Sequence, residues 1–431
     1  MKQAFRAAIF HCLADPGEAS DATATQYFAD GLLITEDGAI IEVGDAIELL
    51  AANPELPVEA FPDGLIVPGL IDCHVHFPQV EIIASYGEQL LDWLNRYAYP
   101  AEARFADSDY ADAAANFFLD ALLQNGTTTA AVFATVHPAS VDAIFKAAEA
   151  RDMRLIAGKV LMDRNCPQEL CDDPVSAYED SRKLIERWHG KARLGYAITP
   201  RFALTSSDEQ LAAAGRLASE FPDTWVHTHL AENRQEIDAV AKSFSWSKSY
   251  LDVYDHFGLL RERSVFAHCL HLADKDRKRM SEQDGAAAFC PSSNLFLGSG
   301  LFDLRSMNDA SVRTGLATDV GGGTSLSMLR TMGEAYKVLQ LQQQNLPAAR
   351  ALYLATLGAA EALRLDDKIG NLLPGKEADF IVLDPRGTDL SARRLADSCA
   401  PEEILFALTM LADERNISAT YLRGRRAQTH K

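Results

Sequence analysis

The apolar positions of the chain fall into two textures. From about residue 65 to residue 319, short continuous apolar runs alternate with stretches whose apolar positions recur every three or four residues. Continuous runs suit strands covered on both faces, as in a parallel sheet. They predict strands at 65–76, 127–135, 154–161, 193–199, 224–229, 264–269, 286–291 and 312–319. Among the helices between them, 208–221 puts Leu211, Ala214, Ala218 and Phe221 on one face. The stretch 112–124 does the same with Ala114, Phe117, Ala121 and Leu122, and Asn125-Gly126 is its stop signal. Eight strands separated by helices predict an α/β fold built on a (β/α)8 TIM barrel, extended by helices near 325–344 and 347–363.

The two ends read differently. Residues 1–66 are strand-like pieces broken by turns, with Asp37-Gly38 between two β-rich runs as a hairpin signal. Residues 370–425 share that texture, with 379–383 and 418–422 as strand candidates. The expected organisation is therefore one small discontinuous β-sandwich domain, from 1–66 and 370–431, around a barrel at 67–369. Length alone would have suggested about three domains.

Composition narrows the partners. With 48% hydrophobic and 24% charged residues among 431, the chain can bury a large core without disulfides or structural metal. A net charge of −20 repels polyanions, so neither nucleic acid nor an anionic membrane is expected as a partner. Seven cysteines (Cys12, Cys73, Cys166, Cys171, Cys269, Cys290, Cys399) include no C-x-x-C pair, and free buried thiols in a reducing compartment are expected. The run Ala7-Ala8-Ile9-Phe10 is too short for a signal-peptide core, and no apolar stretch of about 18 residues occurs, which makes a cytoplasmic protein the expectation.

In such a barrel the C-terminal ends of the strands converge on one mouth. The first predicted strand ends in His74-Val75-His76, whose period of two points both imidazoles the same way. The fifth ends in His227-Thr228-His229 followed by Leu230-Ala231-Glu232, the sixth in His268-Cys269, and the eighth in Asp319 followed by Gly321-Gly322-Gly323. One such histidine is unremarkable, being as often a core residue as a ligand. Five of the eleven histidines on three converging strand ends, with an acid closing a fourth, predict a metal site.

These residues resemble the amidohydrolase superfamily, in Pro68-Gly69-Leu70-Ile71-Asp72-Cys73-His74-Val75-His76, the later histidines, Asp319 and the closing segment 373–380. Narrower motifs are similar to its guanine-deaminating members: His76-Phe77-Pro78-Gln79, Leu91-Asp92-Trp93-Leu94, Tyr99-Pro100-Ala101-Glu102, Thr199-Pro200-Arg201-Phe202, 229–234 and 290–295. At His227 the chain departs from that pattern, leaving His227 and His229 as rival ligands. The family's H-x-x-E arrangement, His229 to Glu232, favours His229, and a regular strand puts His227 on the same face deeper in the barrel.

The resemblance implies a hydrolytic deamination of guanine to xanthine and ammonia. His74, His76, His229 and Asp319 would hold one ion per subunit, zinc or alternatively iron. Two-metal relatives use a bridging lysine or carboxylate near strand 4; residues 193–202 contain none, and Lys159 would qualify only if strand 3 were miscounted. Glu232 would protonate a ring nitrogen, Asp319 accept a proton from water, and His268 bind the attacking hydroxide and the tetrahedral intermediate. Gln79, Arg201 and Phe202, with His76, His229, Glu232 and Asp319, would contact the purine. Alternatives are a deaminase of another aminated ring (8-oxoguanine, a pterin or a triazine) and, more remotely, a non-catalytic barrel. The implied assembly is a homodimer. The aromatic segment 85–105 reads equally as a lid, a subunit contact or local core.

Overall fold

The computed structural model describes residues 2–87, 89–397 and 400–427, so Cys399 lies outside the described residues. It divides into two compact units, one of Met1–Asp72, Asp120–Thr129 and Ser327–Lys431, the other of Cys73–Leu119 and Ala130–Leu326.

The apolar runs form eight strands: β1 (Leu70–His76), β2 (Thr127–Phe133), β3 (Arg154–Gly158), β4 (Leu194–Pro200), β5 (Trp225–Leu230), β6 (Ser264–His268), β7 (Ala286–Phe289) and β8 (Arg313–Leu316). They hydrogen-bond in that order in a nearly closed parallel barrel, and Val160–Leu161 adds a short pairing with β4. Almost every strand position is buried, which explains why the runs are continuous rather than alternating. Closure is made beyond β8. The Asp319 N–H donates to the His74 carbonyl at 2.9 Å, and the His76 N–H donates to the Val320 carbonyl at 2.7 Å. The chain after β8 is thereby stitched to the end of β1, which sets Asp319 beside two histidines.

Several boundaries differ from the sequence expectation. The run 65–76 is two strands, because Val58–Pro68 pairs antiparallel with Phe380–Leu383 while β1 belongs to the barrel. The chain changes sheet at Gly69, where a Cβ would lie 2.1 Å from Thr128 Oγ1. β7 stops at Phe289 because Pro291 opens the helix Pro291–Phe296, proline being favoured in a first turn. β8 stops at Leu316 because Asp319 turns out of the strand with φ 49°. Helix Ser108–Gln124 buries Ala111, Ala115, Phe118 and Leu122, whereas Phe117 is 63% exposed, so its inward face is one position off the expected one. Helix Asp208–Glu220 buries Leu211, Ala214 and Ala218 as expected.

The terminal segments form one seven-stranded sheet: Arg425–Arg426, Ile417–Leu422, Phe380–Leu383, Val58–Pro68, Lys2–Cys12, Thr25–Glu36 and Ala39–Asp45 in spatial order. Alternation fills both faces. Phe5, Ala7, Ile9 and Leu33 join one apolar cluster, Ala4, Leu32 and Ile34 another. Asp37 and Gly38, at φ 51° and 89°, make the two-residue hairpin turn. The described cysteines form no disulfide. Cys12, Cys73, Cys269 and Cys290 are buried, but Cys166 is half-buried and Cys171 exposed, contrary to the expectation of uniformly buried thiols. Among the described residues no helix is long and apolar enough to cross a membrane.

Candidate active site

Four side chains meet at the C-terminal mouth. One ligand atom from each of His74, His76, His229 and Asp319 lies within 4.8 Å of the others. His76 Nε2 is 3.1 Å from His74 Nε2 and 3.2 Å from His229 Nε2, and Asp319 Oδ1 is 3.2 and 3.4 Å from the Nε2 atoms of His74 and His76. Ligands around a tetrahedral ion with bonds of about 2.0–2.1 Å sit about 3.3 Å apart. The donor set therefore fits a small divalent cation in size as well as chemistry. Its protonation also suits one. Burial pushes the His74 imidazole down to about 4 and lowers His76 and His229 too, leaving neutral rings with a lone pair. Burial alone would raise the Asp319 carboxyl, but the adjoining His74, His76 and His268 hold it well below the usual range, ionised.

The ring orientations are fixed from behind. His229 Nδ1 donates to the Arg201 carbonyl at 2.6 Å, and His74 Nδ1 lies 2.8 Å from His227 Nε2. Thus His229 stands in the donor group, whereas His227 stands behind His74. Lys159 is ion-paired with Asp172.

Glu232 faces this cluster from the start of the next helix. Asn233 caps Arg234–Ser243 in a capping box with Glu236, and Glu236 also accepts from the Glu232 N–H at 3.0 Å, anchoring that backbone. The Glu232 carboxyl is 2% exposed and burial pushes it up to about 7. Ser299 Oγ donates to its Oε1 at 2.9 Å, and His268 Nε2 lies 3.4 Å from its Oε2 and 3.7 Å from Asp319 Oδ2. Burial lowers the His268 pKa, but the Glu232 and Asp319 carboxylates outweigh it and the net shift is upward. His268 Nδ1 donates to Asn294 Oδ1 at 2.8 Å, aiming Nε2 at the two carboxylates. His268 and Asp319 adopt left-handed backbone at φ 72° and 49°, the kind of strain that aims side chains at functional sites.

Beside the carboxylates opens a cleft walled by Gln79, Arg201, Phe202, Trp93 and Leu297. Gln79 and Arg201 converge on Glu102, which is 1% exposed. Gln79 Nε2 donates to Oε1 at 2.7 Å and Arg201 donates to Oε2 at 2.6 Å. Gln79 Oε1 accepts from the Gly321 N–H at 3.2 Å, and a Cβ on Gly321 would sit 2.7 Å from the Gln79 carbonyl, so glycine permits that approach. Within segment 85–105, residues 90–105 are helical. Its Leu90, Trp93, Leu94 and Tyr99 pack with Phe133 and Phe202, which makes these residues local core. Sequence reasoning missed Glu102, Asn294 and Ser299 as partners. The first two lie inside motifs that carried a resemblance, and Ser299 carried no signal at all.

Fold and donor set together define a class of protein: a (β/α)8 barrel with three imidazoles and a carboxylate arranged for a metal at its C-terminal mouth. The model of the Amidohydrolase family matches residues 65–427, and the chain belongs to that family. It is 51% identical to guanine deaminase of Escherichia coli K12 over 405 residues, 94% of this chain and 92% of the relative. A solved structure of the E. coli guanine deaminase superposes with TM-score 0.97 at 49% identity, covering 100% of both chains. A crystal structure of guanine deaminase from C. acetobutylicum with bound guanine in the active site superposes with TM-score 0.91 at 27% identity, covering 99% of this chain and 100% of that one.

Proposed function

We propose that the protein is a guanine aminohydrolase that converts guanine and water to xanthine and ammonia with one zinc ion per subunit. The observation that carries this reading is the placing of Glu232, raised to about 7, beside His268 and Asp319 at the edge of the His74–His76–His229 set. When bound, the ion acidifies a water toward neutrality. Asp319, ionised, takes up the water's proton. Glu232, near half-protonated at neutral pH, gives a proton to a ring nitrogen adjoining C2 and then serves the departing nitrogen. His268, with its pKa raised by both carboxylates, hydrogen-bonds the oxygen being added at C2. The C2–O bond forms first, giving a tetrahedral C2; the C2–N bond then breaks as the proton taken from the water reaches the exocyclic nitrogen, and ammonia leaves. Arg201 and Gln79 address the acceptors of the purine edge and Phe202 its face, as an arginine fork does with guanine in DNA. The same donors accept iron as well as zinc. The reading extends to a cytoplasmic homodimer in guanine catabolism or salvage, with residues 67–369 as the catalytic barrel and 1–66 plus 370–431 as its β domain.

The test is a guanine-to-xanthine absorbance assay paired with metal analysis. Guanine should be turned over faster than 8-oxoguanine, adenine, cytosine or isoxanthopterin, by protein holding close to one zinc per chain. Metal-replete protein inert on guanine would refute the reading.

Ser299→Ala tests the setting of Glu232. Losing that donor removes a bond that favours the ionised carboxyl, so the Glu232 pKa should rise further. Glu232 acts in its protonated form, so this shift does not itself slow the reaction at neutral pH; a fall in turnover of up to about 10-fold, the scale of one hydrogen bond to a charged group, is expected from the lost orientation of the carboxyl. The limb of the pH–rate profile assigned to Glu232 should move to higher pH; a limb that stays in place counts against the assignment.

A further inference from the structure

We infer that His227 is a positioning residue for the metal: it holds His74 in the tautomer and orientation that present Nε2 to the ion. The inference rests on the metal set proposed above. His74 Nε2 lies among the donors, 3.1 Å from His76 Nε2 and 3.2 Å from Asp319 Oδ1. A neutral imidazole that gives its Nε2 lone pair to a cation carries its proton on Nδ1. That Nδ1–H points at His227 Nε2, 2.8 Å away, which must then be an acceptor. It follows that His227 carries its own proton on Nδ1, where it has no hydrogen-bond partner among the described residues.

This arrangement is informative because it leaves a buried N–H unsatisfied. His227 is 1% exposed, its ring is perpendicular to that of His74 at 4.8 Å, and Phe133 lies against it at 4.7 Å. A side chain selected only to fill this space would be apolar. A histidine here gains one thing from its polarity, the bond to His74. The contrast with His229 sharpens the point. His229 rests its Nδ1 on a backbone carbonyl, which no substitution at that position removes, whereas the corresponding acceptor for His74 is supplied by a single replaceable side chain. The strand holding it is paired on the β6 side, with His227 opposite Val265 in the β5–β6 ladder. An acceptor on the outer nitrogen fixes the ring and raises the basicity of the ligating one, and removing such a partner typically weakens metal binding 10- to 100-fold.

The experiment is a zinc dissociation constant, read by chelator competition, for wild type, His227→Leu and His227→Gln, beside the Tm of each metal-free protein. The leucine variant should bind zinc more weakly by about 10- to 100-fold. Glutamine, whose Oε1 accepts the same bond, should recover most of that loss. His227→Phe supplies the acceptor-free measurement if the leucine variant does not fold. A leucine or phenylalanine variant with wild-type zinc affinity overturns the inference. So does a glutamine variant no better than leucine, or a change confined to the metal-free Tm, which would mark His227 as packing only. Wild-type protein that takes up no zinc would remove the metal reading itself, and this inference with it.

Discussion

Glu232→Gln is expected to keep its metal and lose kcat by about 100- to 10,000-fold, the range of a positioned acid–base group. Glutamine preserves the shape and can still accept from Ser299 Oγ, so what is removed is the titratable proton. The same substitution should act oppositely on stability. The carboxyl titrates near 4.5 when solvated and is pushed up to about 7 by burial in the folded chain. A carboxyl raised in this way favours its protonated form on folding. It is harmless below about 4.5, opposes folding increasingly as pH rises toward 7, and opposes it by a constant amount above that. At about 1.4 kcal/mol per pH unit the penalty reaches roughly 3 kcal/mol. Metal-free Glu232→Gln should therefore melt above metal-free wild type at pH 8, with the gap closing toward pH 5. An inactive variant without that gap would mean that Glu232 acts without the perturbed pKa. A variant with near-normal turnover would remove it from the mechanism.

Those two effects start from a residue that the sequence already singled out, and the reason is local. The spacing from His229 to Glu232 lies within one strand end and the following helix start, so it is visible as a motif. The same holds for His74 and His76, two positions apart on β1, and for the strands themselves, whose two-sided burial writes continuous apolar runs. The structure departs from the sequence expectation where short-range pattern is silent. The break at Pro68-Gly69 depends on Thr128 crowding Gly69, and the end of β8 depends on a left-handed Asp319. The inward face of Ser108–Gln124 differs from the expected one because alanines line both sides of the helix and a single Phe117 outweighs them in the pattern. Glu102 and Ser299 are partners over separations of 99 and 67 residues, which no periodicity records. His227 was placed deeper in the barrel by its period of two with His229, but its bond to His74, 153 residues away, required the fold.

Arg201→Ala is expected to raise KM for guanine by about 10- to 100-fold while metal is retained, a loss on the scale of one bidentate purine contact. Its second consequence comes from Glu102. Burial would lower the Arg201 pKa, but the charge of Glu102 outweighs it, and both partners are almost wholly enclosed. Removing the cation strands a carboxylate whose remaining side-chain donor among the described residues is Gln79 Nε2 at 2.7 Å. Breaking a buried pair from one side typically costs about 3–5 kcal/mol. The single variants Arg201→Ala and Glu102→Gln should therefore both be markedly destabilised. The double variant Arg201→Met with Glu102→Leu, in which neither charge is left alone, should recover much of the stability and none of the guanine affinity. That split separates recognition from folding. If the double variant regained guanine KM along with stability, the arginine would be structural and the purine edge would be read by other groups. If Arg201→Ala were stable but bound guanine weakly, Glu102 would not need the guanidinium, and Gln79 with water would suffice to hold its charge. If kcat fell with KM unchanged, Arg201 would act on the transition state rather than on ground-state binding, since an interaction made equally in both states appears in KM alone.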